Sequence, residues 1–196
     1  GHRLALVSTA MEIAGLDAEA RALIPRKTLL EIQKLIGDKE LIVEFARDEN
    51  HLFFSFGDKK LVSRILAGQF PNYEIVIPRE NDKSIVVPTR ALSDSIRRAA
   101  VMSDEKLKAI RVAFAVGTVE LTASSAEGGE GREIVPAEYD GAAVEIGFNP
   151  QYLLDFLAAC GSDSVSISVR DSETQGMLQP VGTSALEYRY VVMPMK

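Results

Sequence analysis

Three stretches of this chain repeat one another, and that repeat limits the fold more than any other feature of the sequence. The first, from Pro25, reads "PRKTLLEIQKLIGDKELIVEFARDENHLFFSFG"; the second, from Pro88, reads "PTRALSDSIRRAAVMSDEKLKAIRVAFAVGTVELTAS"; the third, from Asn149, reads "NPQYLLDFLAACGSDSVSISVRDSETQGMLQP". Each opens with a proline at or near a helix start, where a missing N–H does no harm. About three turns of helical pattern follow, then two or more runs of strand-like alternation. The first of these runs is Leu41-Ile42-Val43-Glu44-Phe45, then Ile110-Arg111-Val112-Ala113-Phe114, then Val165-Ser166-Ile167-Ser168-Val169. A short apolar strand precedes each unit: Ala22-Leu23-Ile24, Ser84-Ile85-Val86-Val87 and Val144-Glu145-Ile146-Gly147-Phe148.

The repeat is therefore strand, helix, then about three strands. Its spacing of roughly sixty residues is longer than that of solenoid repeats. Two such units can pair their sheets and place two helices on one side. The second and third units then make one complete domain, residues 79–196. The first makes half of another, residues 1–78, with Arg79-Glu80-Asn81-Asp82-Lys83 as a polar joint.

The helices carry a second regularity. Leu29, Ile32 and Ile36 share a face of the first, with Lys27 and Lys34 aligned on the other side and Glu31 between them. Leu92, Ile96 and Ala99 face inward on the second, with Arg90 and Arg97 aligned outside and Arg98 beside them. The third helix puts Gln151 and Ala158 in the matching places, with Asp155 between. Two readings fit these basic residues: a solvated helix face, or a sparse row facing phosphates.

No catalytic constellation assembles. The two histidines, His2 and His51, stand in separate strand contexts, and Cys160 follows two alanines at a helix end. No His, Cys or Asp spacing suggests a metal site. Gly128-Gly129-Glu130-Gly131 lacks the Lys-Ser/Thr of a phosphate loop and is flanked by Glu127 and Glu133, so it reads as an acidic hairpin tip. Asp104-Glu105 reads as a solvated helix-end loop. The chain is read as a binder without a cofactor. A single cysteine fits a reducing compartment, hence the cytoplasm, and no apolar run approaches a membrane span. The net charge of −6 argues against nucleic acid only as a mean, which distribution can overrule.

Both ends are unusual. The chain opens on Gly1-His2-Arg3-Leu4-Ala5-Leu6-Val7, a turn running into a strand with no Met and no leader, as if cut or incomplete. It closes on "YVVMPMK", more apolar than a frayed terminus requires. Taken in order, "GHRLA", "IPRK", "GQFPNY", "EIGFNPQYLLDFL" and "YVVMPM" resemble the bacterial sliding clamp, the beta subunit of DNA polymerase III, over the whole chain.

The resemblance implies an α+β DNA-clamp fold, with antiparallel sheets outside and helices on one side. It implies a partial chain, the second half of a middle domain plus a whole C-terminal domain. In the family, two subunits close head-to-tail into a homodimeric ring around duplex DNA. Lys27, Lys34, Arg90 and Arg97 would then face DNA without reading sequence. Val101, Met102 and the acidic Glu127, Glu130 and Glu133 would lie at the subunit interface. This polypeptide alone is expected not to close the ring; the alternative function is a stand-alone peptide-binding module. The family's pocket receives a short motif, roughly Gln-x-x-Leu-Phe, from the replicative polymerase, the clamp loader and repair proteins. Carried onto this chain it comprises Gly1, His2, Arg3, Leu4, Pro71, Ile75, Val76, Asn149, Tyr152, Val191, Val192, Met193, Pro194 and Met195. Glu74-Ile75 stands where some members carry two arginines, so Ile75 makes that wall apolar. The hairpin near Thr174 and Gln175 aligns loosely and is assigned no pocket residue.

Overall fold

The computed structural model describes residues 2–10, 20–37, 41–102, 109–124 and 129–195. In chain order its elements are β1 (Arg3–Ser8), α1 (Arg26–Ile36), β2 (Glu44–Arg47), β3 (His51–Phe56), β4 (Lys59–Arg64), β5 (Lys83–Pro88), α2 (Thr89–Val101), β6 (Ile110–Ala115), β7 (Thr118–Ser124), β8 (Glu130–Pro136), β9 (Val144–Phe148), α3 (Pro150–Ala159), β10 (Ser164–Val169), β11 (Gly176–Pro180) and β12 (Glu187–Val192). The three sequence repeats are thus strand or extended segment, helix, then three strands. They pack as two compact units, Gly1–Met11 with Tyr73–Lys196, and Glu12–Asn72.

The larger unit holds two antiparallel sheets, ordered β1-β12-β11-β10-β5 and β8-β7-β6-β9. Each joins the three trailing strands of one repeat to the leading strand of the other. Val86 and Glu138 exchange backbone hydrogen bonds of 3.1 and 2.8 Å, which ties the two sheets together. α2 and α3 pack on each other, α2 also against β5, β7, β8 and β10, and α3 against β12. The alternating strands turn Ile110, Val112 and Phe114, and likewise Val165, Ile167 and Val169, into one core with Leu92, Ile96, Leu153 and Phe156. Each large side chain buried there contributes about 1.5–3 kcal/mol. The inward face of α2 is the expected Leu92, Ile96 and Ala99.

β1 is the strand whose place the sequence did not indicate. It groups with repeat one along the chain, yet it forms the outer strand of the five-stranded sheet. A six-pair ladder with β12, from Arg3↔Val192 to Ser8↔Glu187, holds it there.

In the smaller unit α1 lies on the sheet β2-β3-β4 around Leu52, Phe54 and Phe56. Thr28 Oγ1 and Ser63 Oγ, 2.6 Å apart, fasten the helix to β4. Gly37 ends it with a positive φ of 60° and donates its N–H to Gln33 O at 3.0 Å. Ile32 and Ile36 pack inward as expected, joined by Leu35, but Leu29 is exposed. The heptad pattern names a helix face correctly only where something covers it.

Candidate peptide-binding site

α3 starts on a sequence-encoded cap: Asn149 Oδ1 accepts the Gln151 N–H at 2.9 Å, and Pro150 fills the first helical position. The first two turns of the helix thereby present Tyr152 and Asp155 toward Arg3 of β1. Arg3 reaches them from the strand. Its guanidinium lies 4.4 Å from the centre of the Tyr152 ring, forms an ion pair with Asp155, and donates to Tyr190 Oη at 3.4 Å. Gln151 Nε2 donates to the other Asp155 oxygen at 2.7 Å.

Burial opposes ionisation of Asp155, but the hydrogen bonds from Arg3 and Gln151 outweigh it and hold the carboxyl below the usual aspartate range. Arg3 is raised in turn, first by the bond to Asp155. A depressed folded value gives stability that is present above the unfolded aspartate pKa and lost as pH falls through the folded one. Arg3→Ala is expected to move the Asp155 titration upward toward the ordinary value, read by carboxyl carbon NMR; an unmoved titration would leave Arg3 without this role.

The C-terminal segment after β12 is held at two points. Met193 donates its N–H to His2 O at 2.9 Å, and Met195 donates to Gly147 O at 2.8 Å. Gly147 is required there, because a Cβ would come within 2.6 Å of the Met195 carbonyl oxygen. Val191 and Val192 are buried, Val192 within the main core, so they back the surface instead of lining it. Leu4, Tyr152, Met193, Pro194 and Met195 remain half-exposed. Val76 belongs to the same unit: its carbonyl accepts Gln175 Nε2 at 3.2 Å, and Gly176, the next residue, faces Val192 in the ladder. Ile75 is exposed. Pro71 falls in the Glu12–Asn72 unit, and Gly1 lies outside the described residues.

Two open hollows flank this surface. One, of about 570 Å³, is lined by Ala5, Val7, Cys160, Leu186 and Tyr188; the other, of about 670 Å³, takes Met195 beside Arg111, Glu145 and Glu173. Neither gathers Leu4, Val76 and Tyr152 into one cavity.

The basic rows are exposed and each contains a carboxylate. Arg90 Nε and Arg97 Nη1 lie 3.9 and 3.1 Å from the Asp94 carboxylate oxygens. Lys34 pairs with Glu31 at 3.1 Å, and Lys27 is exposed. Arg98 points elsewhere, donating twice to Glu133 at 2.9 and 2.6 Å. Glu133 and Glu130 lie on β8, an edge strand, Met102 packs against the core, and Val101 is 81% exposed at the end of α2. Glu127, Asp104 and Glu105 lie outside the described residues.

The sequence profile of the DNA polymerase III beta subunit's C-terminal domain matches residues 74–196, and that of its central domain matches residues 1–72. The chain belongs to the DNA polymerase III beta subunit family. The beta sliding clamp of Pseudomonas putida is 36% identical over 196 residues, covering all of this chain and 53% of that protein. That of Escherichia coli K12 is 32% identical over 198 residues, covering 100% of this chain and 52% of that one. Among solved structures, the DNA polymerase sliding clamp of Pseudomonas aeruginosa superposes with a TM-score of 0.93 at 34% identity, over 100% of this chain and 54% of that chain. The same organism's clamp bound to griselimycin gives 0.91 at 33% identity, over 100% and 52%. The chain spans about half the length of the curated relatives it matches. Its fold is the α+β sliding-clamp fold.

The structure brings Arg3 and Tyr152, both named as candidates from the sequence, together with Asp155 and Tyr190, and bonds Gln175 to Val76; Asp155, Tyr190 and Gln175 were not named as site residues. Asp155 carried a usable signal, since it occupies the helix position of Glu31 and Asp94 without basic neighbours seven residues apart. Nothing local marks Gln175; its role follows from the fold bringing β11 beside residues 73–81.

Proposed function

We propose that this chain is part of a DNA sliding clamp, residues 1–78 from a middle domain and 79–196 a C-terminal domain, acting in the cytoplasm as a binder and not as a catalyst. In the complete homodimer it encircles duplex DNA and tethers the replicative polymerase, the clamp loader and repair proteins. The unbroken correspondence of the whole chain with sliding clamps carries this reading. Partners insert a Gln-x-x-Leu-Phe motif on the face of Leu4, Val76, Tyr152, Met193 and Met195, with Ile75, Pro194 and the start of β1 at its margin. Asn149 stands at the polar end of that face. Methionines suit a surface that receives many partners, because their side chains repack easily. Val101, Met102 and the Glu130–Glu133 edge, with Glu127, form the C-terminal side of the ring junction.

DNA contact falls to Lys27, Lys34, Arg90 and Arg97. Glu31 beside Lys34, and Asp94 beside Arg90 and Arg97, keep the contact weak, as a sliding ring requires. Replacing all four with alanine in the complete clamp is expected to flatten the salt dependence of DNA retention, each lost phosphate contact removing about 0.9 from the logarithmic slope. The substituted side chains are exposed, so the melting temperature should stay near that of the unaltered protein. An unchanged slope would remove these residues from the DNA path.

Gly147→Ala tests the tail without deleting it. The added methyl group displaces the Met195 carbonyl, so peptide affinity should fall while the strands of the larger unit stay paired. Isothermal titration with the motif peptide reads the change, and unaltered affinity would separate Met195 from the site.

A further inference from the structure

Among the residues of the peptide face, Val76 stands on neither a strand, a helix nor the tail. It sits in a turn over residues 74–76, where its N–H donates to Tyr73 O at 3.0 Å. That bond is internal to the turn and does not fix where the turn stands against the sheet. The attachment comes from residues 170–175, which join β10 to β11. Gln175 Nε2 donates to Val76 O at 3.2 Å. A carbonyl oxygen only accepts, so the amide nitrogen of Gln175 must face it. Asn81 closes the mouth of the same hairpin: its Nδ2 donates to Ser168 O at 2.8 Å and to Gln175 O at 3.1 Å. Lys83 Nζ adds a bond to Arg170 O at 2.8 Å. The exposed Arg170–Glu80 pair, at 2.7 Å, contributes little.

The hairpin turn has a frame of its own. Asp171 Oδ1 accepts the N–H groups of Glu173 and Thr174 at 2.9 and 2.7 Å, and Oδ2 accepts Arg170 Nε at 2.9 Å. Arg170 first, then these N–H groups, hold the Asp171 carboxyl well below the usual aspartate range, so it stays an acceptor at neutral pH. Beyond the turn, Gly176 pairs with Val192, and the next residue, Met193, opens the tail. A Cβ on Gly176 would come within 3.0 Å of the Phe148 ring, so the backbone is packed close against the core there. Gln175 thus stands between the two sides of the face. Its backbone leads to the strand beside the tail, and its side chain holds Val76. We propose that Gln175 and Asn81 are positioning residues for the peptide face: they fasten the Val76 side to the tail side and set the spacing between them. This role rests on the peptide-binding reading above. Neither residue acts by touching the peptide. A preset spacing raises affinity, because a wall that must be ordered on binding subtracts from it.

Fluorescence anisotropy with a labelled Gln-x-x-Leu-Phe peptide tests this. Gln175→Met keeps the side-chain length without the donor and should raise Kd about five- to tenfold. Asn81→Leu removes the donors to Ser168 O and Gln175 O and should act in the same direction. In both variants the Val76 methyl resonances of the peptide-free chain should shift, while the far-UV circular dichroism stays unchanged. The Val76→Ala background decides the role. There Gln175→Met should cost less than about twofold more, because the side chain it positions is gone. A direct contact with the peptide, or a general loss of stability, would persist in that background. Effects that multiply in full, or variants that bind as the unaltered chain does, would overturn the positioning role alone. Failure of the unaltered chain to bind the peptide would overturn the peptide-face reading and this role with it.

Discussion

Phe156→Ala is expected to lower the unfolding free energy of the larger unit by about 3–5 kcal/mol. Phe156 is fully buried on α3, with its ring 5.2 Å from that of Tyr188 and 5.5 Å from that of Tyr190. Both tyrosines lie on β12, so the aromatic trio is the joint between helix and strand. Truncation leaves a cavity that the paired strands cannot collapse to fill, and the lost contacts add to the lost transfer free energy. Urea denaturation should show a lower midpoint with an unchanged slope. The same joint carries the site, because Asp155 precedes Phe156 and Tyr190 accepts from Arg3. A loss below about 1 kcal/mol would mean that the joint repacks freely, contrary to its burial.

Removing residues 193–196 is expected to lower motif-peptide affinity by about a hundredfold or more, from the micromolar range to one that titration barely detects. Met193 and Met195 supply half-exposed apolar surface to the face, and burying two anchor side chains contributes about 1.5–3 kcal/mol each before ordering costs. The deletion also costs some stability. It removes the N–H donors to His2 O and Gly147 O, each worth about 0.5–1.5 kcal/mol net. The melting temperature should fall by a few degrees while the core, which ends at Val192, stays folded. Fluorescence anisotropy with a labelled peptide reads the affinity. Equal affinity for both chains would make the segment only the end of a strand.

The repeat made most of the fold legible. Helix starts at Pro25, Pro88 and Asn149, the three trailing strands and the inward face of α2 all follow from local pattern. Leu29 did not: its equivalents are buried where α2 packs on α3, and no such helix packs on α1 among the described residues. β1 was equally opaque: a ladder to β12 spans almost the whole chain, and nothing in "RLALVS" names its partner. The candidate site divides the same way. Asn149 was legible as a cap and the tail as an apolar oddity. Val192 reads in sequence like Met193, yet its pairing opposite Gly176 and its place in the main core leave it fully buried. The Arg3–Asp155 contact joins residues 152 positions apart, and only the pairing of β1 with β12, on which α3 packs, brings them together.

The most direct test is a two-dimensional NMR titration of the chain with a Gln-x-x-Leu-Phe peptide and a scrambled control. Shifts should concentrate at Leu4, Val76, Tyr152, Met193 and Met195, saturate at micromolar peptide, and be absent with the control. Shifts spread over other faces, or the same response to both peptides, would contradict a tethering site on this surface.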